Sequence, residues 1–339
     1  MAERTSMSRS TIRRVSRLGG RAERAVARLA KPARNLGFPY RKPTAPKGVE
    51  VPPEPSKLGA DYDTDWARRA PARMVRSLIV RGPLRLAVTA LARPEVLGVD
   101  RLADLTARGD DAPAVIFTPN HHSHLDTLLM VEAVPEPWRS KLIVAAAADY
   151  FFTTRAKSAT AALALNALPI DREVTGRKSS DMIRDLVDDG WSLVIYPEGG
   201  RSPDGWGQEF KGGAAYLSGR TGAPVVPVFI DGTGAIFGKS MKRPKPGHTK
   251  VVFGAPLHQL DGENTRRFNA RIEAAVTALG DEALTDYWTA RLRAAQGTSP
   301  RLTGPEHNSW RRQWALHEQR KLGAAGKRRR QQRRWPDIG

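Results

Sequence analysis

Short apolar runs alternate with helix-like segments between residues 114 and 253, and this alternation limits the folds open to the chain. Apolar runs bounded by turn residues are typical of buried strands, and helices repeat apolar residues at a longer spacing. The pattern predicts an α/β fold with a central, mostly parallel or mixed sheet flanked by helices. Strands are predicted at 114–118, 142–146, 168–170, 191–196, 225–230 and 250–253, and helices from about Ser123 and over 156–167, 179–189, 213–220 and 264–295.

Positive charge is concentrated at the two ends of the chain. The formal net charge is +20, and residues 1–48 hold 13 Lys and Arg against 2 acidic residues, while 298–339 hold 11 against 3. We therefore expect a basic, Pro/Gly-rich, disordered tail and linker over 1–60, a folded domain over 61–297, and a basic, Trp- and Arg-rich, disordered tail over 298–339. Such tails bind nucleic acid or anionic lipid, or simply add solubility, and charge alone does not choose among these.

Residues 66–92 interleave apolar side chains with arginines on either side of Gly82-Pro83. This pattern predicts an N-terminal amphipathic helical hairpin, made of two short helices with a cationic side. Its apolar stripe either packs on the core, with the arginines in water, or lies in lipid, with the arginines at the headgroups. Both arrangements are compatible with the sequence.

Some classes of protein are excluded by what the chain lacks. With no cysteine, it forms no disulfide, no thiolate zinc site and no thiol nucleophile. Its apolar runs are shorter than the 18 or so residues that span a bilayer, and arginines interrupt the start where a signal peptide would be apolar. Neither a transmembrane helix nor a signal peptide is expected, so membrane contact would be peripheral.

A histidine and an aspartate five positions apart follow the first predicted strand, in the stretch Asn-His-His-Ser-His-Leu-Asp over 120–126. An imidazole takes up a proton near neutral pH and a carboxylate fixes its tautomer, so His121 and Asp126 are candidates for a general base and its orienting acid. Ser123 and Asp126 also match a capping box at a helix start, which would make Asp126 structural. The residues leave both interpretations open, and the two coexist if Ser123 is the N-cap.

The same stretch offers a metal-binding alternative. His122, His124 and Asp126 spell most of a His-x-His-x-Asp-His run, which resembles the metallo-β-lactamase superfamily, but the run stops at Thr127. A dinuclear site needs further ligands downstream. The later histidines form no ligand-like cluster; they are His248, His258, His307 and His317. The general-base hypothesis is therefore favoured.

A glycine-rich turn, Pro-Glu-Gly-Gly-Arg-Ser over 197–202, follows another predicted strand. Gly199 and Gly200 let the backbone approach a ligand, and Arg201 offers a planar fork for phosphate. Glu198 accepts hydrogen bonds from ligand hydroxyls. Alone, such a turn is often no more than a tight bend between a strand and a helix. Both motifs follow strands, where sites of α/β folds gather.

Together the two motifs resemble those of the glycerolipid acyltransferase superfamily, whose members carry Asn-His-x-Ser-x-x-Asp, the HxxxxD motif, and then Phe-Pro-Glu-Gly-Thr-Arg-Ser. Further blocks agree in order: Leu-Pro-Ile-Asp-Arg ending at Arg172, a turn beginning at Lys211, and Val-Pro-Val over 226–228. The resemblance covers about residues 66–257 and leaves both tails unexplained. The chain departs from the family pattern at Tyr196, where Phe is usual, at Gly200, where Thr is usual, and at Asn166, where Gly is usual.

This resemblance implies an acyltransferase domain over 61–297 that moves a fatty acyl group from acyl-CoA or acyl carrier protein to the free hydroxyl of lysophosphatidic acid, in phospholipid biosynthesis. His121 would act as the general base, oriented by Asp126, without a metal or other cofactor. Arginine and lysine side chains would hold the acceptor phosphate, and the glutamate would position the hydroxyl or the loop. The implied substrate-binding residues are Arg172, Glu198, Gly199, Gly200, Arg201 and Lys211.

Several alternatives stay open at this point. The acceptor could be glycerol-3-phosphate or another lysolipid, and the chain could instead be a metallo-β-lactamase-like hydrolase. It could also be a protein that binds nucleic acid or anionic lipid through its tails. The expected partners are the acyl donor, a lysophospholipid and an anionic membrane surface, and nucleic acid is not expected. The protein would lie peripherally on the cytoplasmic face of the membrane.

Overall fold

The computed structural model describes residues 59, 62–170, 177–239, 241–305, 310–312 and 314–315, with the side chains of 177 and 178 left out. All of them belong to one compact unit, Pro55–Gly339. The tail expected at 1–60 lies outside the described residues except for Gly59, and so does most of the tail expected at 298–339.

A seven-stranded sheet forms the centre of the described fold, in the order β1-β7-β6-β2-β5-β3-β4. All neighbouring strands run parallel except β6 and β7, which are antiparallel. The predicted mostly parallel or mixed α/β sheet is therefore confirmed. The strands are β1 (Pro94–Leu97), β2 (Ile116–Pro119), β3 (Leu142–Ala147), β4 (Ala167–Ile170), β5 (Ser192–Val194), β6 (Val225–Asp231) and β7 (Thr249–Phe253).

Helices connect and cover these strands. They are α1 (Ala70–Ile79), α2 (Arg85–Ala92), α3 (Ala103–Thr106), α4 (Leu125–Ala133), α5 (Ala148–Phe151), α6 (Arg155–Leu165), α7 (Arg177–Asp188), α8 (Gly213–Thr221), α9 (Thr233–Phe237), α10 (Thr265–Leu284) and α11 (Tyr287–Gln296). Short 3-10 turns add Asp65–Arg68, Val99–Leu102, Gly109–Asp111 and Trp138–Lys141. No described helix combines the length and the apolar composition that crossing a bilayer requires.

The sheet buries both of its faces, because successive residues of a strand point to opposite sides. On one side Phe117 packs in a cluster with Leu129 of α4. On the other, the neighbouring Ile116 packs with Phe268 and Ile272 of α10. Strands buried on both faces are apolar throughout, which is why β2 and β6 were visible in the sequence as continuous runs.

The segment before the sheet differs from the expected hairpin over 66–92. Its backbone stays helical from Ala70 to Ala92, with a π-helical turn, Val80–Leu84, between α1 and α2. Pro83 lacks an N–H and its ring crowds the preceding turn, and the wider π turn accommodates this without reversing the chain. The predicted hairpin is therefore wrong, and the segment is one continuous helical run.

One arginine of this run is buried and not in water or lipid. Arg76 donates from Nε to the Leu163 carbonyl at 2.8 Å, and from Nη2 to Ala67 and Ala162 at 2.6 and 3.1 Å. Burial lowers its pKa to about 10. Because two of these carbonyls belong to the last turn of α6, where a cation is favourable, Arg76 ties α1 to that helix end.

Candidate active site

Two strands bring the two motifs to one edge of the sheet. β2 and β5 are adjacent and parallel, so the loops after Pro119 and after Val194 leave from the same carboxyl edge. The first loop is anchored by Asn120, whose side-chain amide donates to the Ile230 carbonyl at 2.9 Å and accepts the Ile230 N–H at 2.7 Å. This pair of bonds fixes the start of the histidine motif to β6.

His121 and Asp126 meet within hydrogen-bond distance, with Nδ1 of the ring 2.9 Å from Oδ2 of the carboxylate. The same Oδ2 accepts the backbone N–H groups of His122 at 2.7 Å and Ser123 at 2.8 Å. The Ser123 hydroxyl in turn accepts the N–H of Leu125 at 3.1 Å. One fully buried carboxylate therefore both orients the ring and reaches back to the Ser123 N–H. The N-cap residue of α4 is His124, so the prediction of Ser123 as the N-cap is wrong.

This geometry selects one form of the imidazole. Since Nδ1 faces a carboxylate oxygen, it carries the proton in the neutral ring and Nε2 keeps the lone pair. The ring of His121 also stacks on Tyr196, with centroids 4.0 Å apart and an interplanar angle of 26°. The Tyr196 hydroxyl lies 2.9 Å from Thr127 Oγ1, and burial raises the pKa of Tyr196 well above its usual value. Carboxylate and phenol ring together restrict the imidazole.

The loop after β5 wraps against the histidine. The N–H of Gly199 donates to the Tyr196 carbonyl at 3.0 Å and closes a tight turn. Gly199 has a φ of +71° in this turn, a backbone conformation that residues with a side chain rarely adopt. The N–H of Ser202 then donates to the His121 carbonyl at 2.8 Å. The second motif thereby contacts the backbone of the first directly.

Glu198 is a structural link between these loops. Its Oε1 accepts the His121 N–H at 2.9 Å and its Oε2 accepts the Gln208 N–H at 3.1 Å. The side chain is 3% exposed, and burial raises its pKa to about 8. Of the two roles predicted for Glu198, these contacts correspond to holding the loop and not to contacting a ligand hydroxyl.

Of the three cationic residues predicted to bind the acceptor phosphate, the structure describes two, Arg201 and Lys211. Arg201 is half-buried, with its Cζ 5.8 Å from the ring centroid of Tyr150. Lys211 is exposed and crosses Gly199 so closely that a Cβ there would lie 2.7 Å from Nζ. A Cβ at Gly200 would meet nothing within 4 Å, which leaves that backbone open. Arg172, expected after β4, lies outside the described residues.

The motif search missed one contributor to this edge, Tyr150. It lies in α5, directly after β3, and its ring stacks on His124 with centroids 4.7 Å apart. His124 also meets Phe151 edge-on. One indication of this role was present in the sequence, because Tyr150 follows a predicted strand. That strand, β3, pairs with β5, so the residues after both strands lie at the same edge of the sheet.

The metal-binding alternative has no matching geometry in the described part of the chain. There, no three or more His, Cys, Asp or Glu side chains converge as metal ligands would. Asp126 Oδ2 is engaged by three nitrogens, and His124 packs between aromatic rings.

Comparisons with known proteins agree with the two motifs. Residues 97–231 match the family model described as Acyltransferase. The chain is 33% identical over 97 residues to the 1-acyl-sn-glycerol-3-phosphate acyltransferase of Bacillus subtilis (strain 168), covering 29% of this chain and 46% of that one. It is 37% identical over 75 residues to a chloroplastic 1-acyl-sn-glycerol-3-phosphate acyltransferase of Brassica napus, covering 22% of each chain.

These alignments span less than half the length of each of the two relatives. Among solved structures, the crystal structure of the 1-acyl-sn-glycerophosphate (LPA) acyltransferase of Thermotoga maritima aligns with a TM-score of 0.44 and 19% identity, over 63% of this chain and 82% of that one. The family match contains both motifs and the strands that carry them. Residues 97–231, which carry both motifs, are therefore similar to the acyltransferase family, and this similarity covers less than half of the chain.

Proposed function

We propose that this protein transfers a fatty acyl group from acyl-CoA or acyl carrier protein to the free hydroxyl of lysophosphatidic acid. The observation that carries the proposal is the 2.9 Å contact between His121 Nδ1 and Asp126 Oδ2 at the carboxyl edge of the sheet. It leaves Nε2 as the basic nitrogen, on a ring that Tyr196 also restricts. The names of the Bacillus subtilis and Brassica napus relatives support the choice of acceptor.

The chemistry needs a base and no protein nucleophile. Nε2 of His121 takes the proton of the acceptor hydroxyl while the oxygen attacks the thioester carbonyl carbon. The tetrahedral intermediate collapses and the carbon–sulfur bond breaks. The leaving thiolate then takes up, from the imidazolium, the proton that came from the acceptor hydroxyl. The products are the new ester and the free thiol, and Asp126 stabilises the imidazolium in between without accepting its proton.

Recognition of the acceptor requires cations near this base. Arg201 and Lys211 belong to the loops that wrap His121, and no carboxylate lies within 4 Å of either among the described side chains. A guanidinium without an ion-pair partner keeps its N–H fork for a phosphate. We assign the acceptor phosphate to Arg201 and Lys211, with Arg172 as a third candidate from the sequence.

The lipid acceptor also implies contact with an anionic membrane surface. The helical run 70–92 exposes four large apolar side chains, Met74 at 69%, Val75 at 44%, Leu78 at 73% and Leu86 at 73%. The nearby side chains of Arg81 and Arg85 are each 67% exposed, although each forms an ion pair at the surface, with Glu136 at 3.5 Å and with Glu132 at 3.6 Å. Exposed apolar side chains beside largely exposed arginines suit the interface of an anionic bilayer.

A panel of donors and acceptors, assayed with matched variants, tests the proposal. Thiol release and ester formation are measured with acyl-CoA and acyl carrier protein as donors, against lysophosphatidic acid, glycerol-3-phosphate and other lysolipids. We expect lysophosphatidic acid to be preferred and His121→Ala to lose about 10²- to 10⁴-fold in rate. His248→Ala, an exposed histidine outside the site, is the control and should match the wild type.

Two outcomes would overturn the proposal. A folded His121→Ala variant with near wild-type turnover removes the base mechanism, and transfer to no acceptor removes the activity. Sensitivity to a chelator would favour the metallohydrolase alternative instead. Within an active enzyme, Arg201→Ala should raise the KM for the acceptor more than that for the donor.

A further inference from the structure

An aromatic cluster stands next to the histidine motif and is not used by the proposed chemistry. Tyr150 is 50% exposed, although one face of its ring stacks on His124 at 4.7 Å and 27°. Phe151 meets the Tyr150 ring at 5.0 Å and 74°, and the His124 ring at 5.6 Å and 81°. The Tyr150 ring is therefore held in place by two neighbouring rings while half of it stays open.

The guanidinium of Arg201 lies over this ring, with Cζ 5.8 Å from the centroid. A cation is attracted to the face of an aromatic ring within about 6 Å. Such a contact orients the guanidinium without occupying its N–H groups, whereas an ion pair with a carboxylate would occupy them. None of the described carboxylates lies within 4 Å of Arg201, so its donors remain available.

The stack also depends on an uncharged His124. Burial lowers the pKa of His124 to about 4, and the nearby positive charge of Arg201 and the ring of His121 act in the same direction, while Asp126 opposes them. At neutral pH the imidazole is therefore neutral and packs against Tyr150 without repelling Arg201.

We propose that Tyr150 is a positioning residue, which holds Arg201 toward the acceptor phosphate beside His121 and so contributes to acceptor recognition. This inference rests on the proposed acyl transfer and adds a residue that neither motif contains. Tyr150 comes from the loop after β3, so three neighbouring strand ends, those of β2, β5 and β3, would build the site. No bond to Tyr150 forms or breaks during the reaction.

Two variants of Tyr150 distinguish the effect of its aromatic ring from the effects of its side-chain volume and of its hydroxyl group. Tyr150→Phe keeps the ring, while Tyr150→Leu keeps apolar volume and loses the ring. We expect Tyr150→Leu to raise the KM for lysophosphatidic acid roughly two- to five-fold, the effect of one half-exposed cation–π contact, with kcat and the KM for the donor unchanged. Tyr150→Phe should restore the wild-type KM. Tyr216→Leu, a tyrosine of similar exposure in α8, is the control.

A double-mutant cycle with Arg201→Ala decides whether Tyr150 acts through the arginine. We expect Tyr150→Leu to have no further effect on the acceptor KM once Arg201 is absent. Additive effects, an unchanged KM in the folded Tyr150→Leu variant, or a loss that Tyr150→Phe fails to restore would each overturn the inference while the wild type stays active. A wild type without acyl transfer would overturn the proposed function and this inference with it.

Discussion

The carboxyl group of Glu198 accepts the backbone N–H of His121 at 2.9 Å, so a residue of the glycine-rich motif holds the main chain of the histidine motif. The return contact, from the N–H of Ser202 to the His121 carbonyl, is 2.8 Å long. Both groups of the His121 backbone that form hydrogen bonds are thereby held by the other motif. The two loops act as one unit, and disturbing either should displace the imidazole.

Glu198→Gln should change how stability depends on pH. The pKa of Glu198 is raised to about 8 by burial, from an ordinary value of 4.5, so the folded state binds more protons than the unfolded state between these values. Its contribution to stability is therefore complete below about pH 4.5 and is lost as pH rises toward 8. We expect the unfolding free energy of the wild type to fall with pH across this range more steeply than that of Glu198→Gln.

Urea denaturation at pH 5, 6, 7 and 8 measures this difference. The slope attributable to one group is at most about 1.4 kcal/mol per pH unit. Parallel stability curves for the wild type and the variant would show that Glu198 ionises normally. Glu209→Gln, a nearby surface glutamate, controls for the loss of one carboxylate.

Asp126→Asn and Ser123→Ala should separate orientation from capping. Asp126 Oδ2 accepts three N–H donors, and a neutral amide oxygen in its place accepts them more weakly and loses the charge that stabilises an imidazolium. We expect Asp126→Asn to lose at least about 10²-fold in kcat and some stability.

Ser123→Ala removes a hydroxyl that accepts the Leu125 N–H at the start of α4 and donates to the Phe237 carbonyl. We expect it to cost about 1 kcal/mol of stability and to leave kcat nearly unchanged. Rates measured at a temperature where every variant is folded distinguish the two effects. Equal losses of kcat in both variants would mean that the carboxylate acts only as a cap.

Tyr196→Phe tests the ring beneath the imidazole. Phenylalanine keeps the stack on His121, 4.0 Å between centroids, and loses the hydrogen bond to Thr127. We expect kcat to be retained and the unfolding free energy to fall by about 1–3 kcal/mol, because the Thr127 hydroxyl loses a partner. Tyr196→Leu, which loses the stack as well, should lower kcat. A larger loss of kcat in Tyr196→Phe than in Tyr196→Leu would give the phenol a chemical role.

Met74→Ser with Leu78→Ser tests membrane contact by the helical run 70–92. Both side chains are exposed, so their removal should leave the core intact and reduce binding to vesicles of anionic phospholipid at least about ten-fold. Flotation of the protein with vesicles measures this. Leu260→Ser, an exposed leucine elsewhere, should float like the wild type. Unchanged flotation of the double variant would assign the contact to another surface.

Local patterns were enough to locate most of the sheet. The strands containing Phe117, Leu193 and Val226 are apolar because both of their faces are covered. Burial on both faces is therefore recognisable in the sequence as a continuous apolar run. Strand β1, Pro94–Leu97, was missed because it is short and lies at an edge of the sheet. Most of its residues are exposed, so its sequence carries only a weak apolar pattern. The continuous helix through Pro83 was missed because a proline marks a break unless a π turn absorbs it.

The sequence by itself determined the fold class and the pairing of His121 with Asp126 as candidates, since both depend on short-range spacing and on the chemistry of each side chain. Only the tertiary structure decided that Glu198 holds the His121 backbone and that Tyr150 lies under Arg201. Those contacts join residues 77 and 51 positions apart, and strand order decides which loops meet at one edge. Local sequence does not encode strand order, because it follows from the packing of the whole sheet.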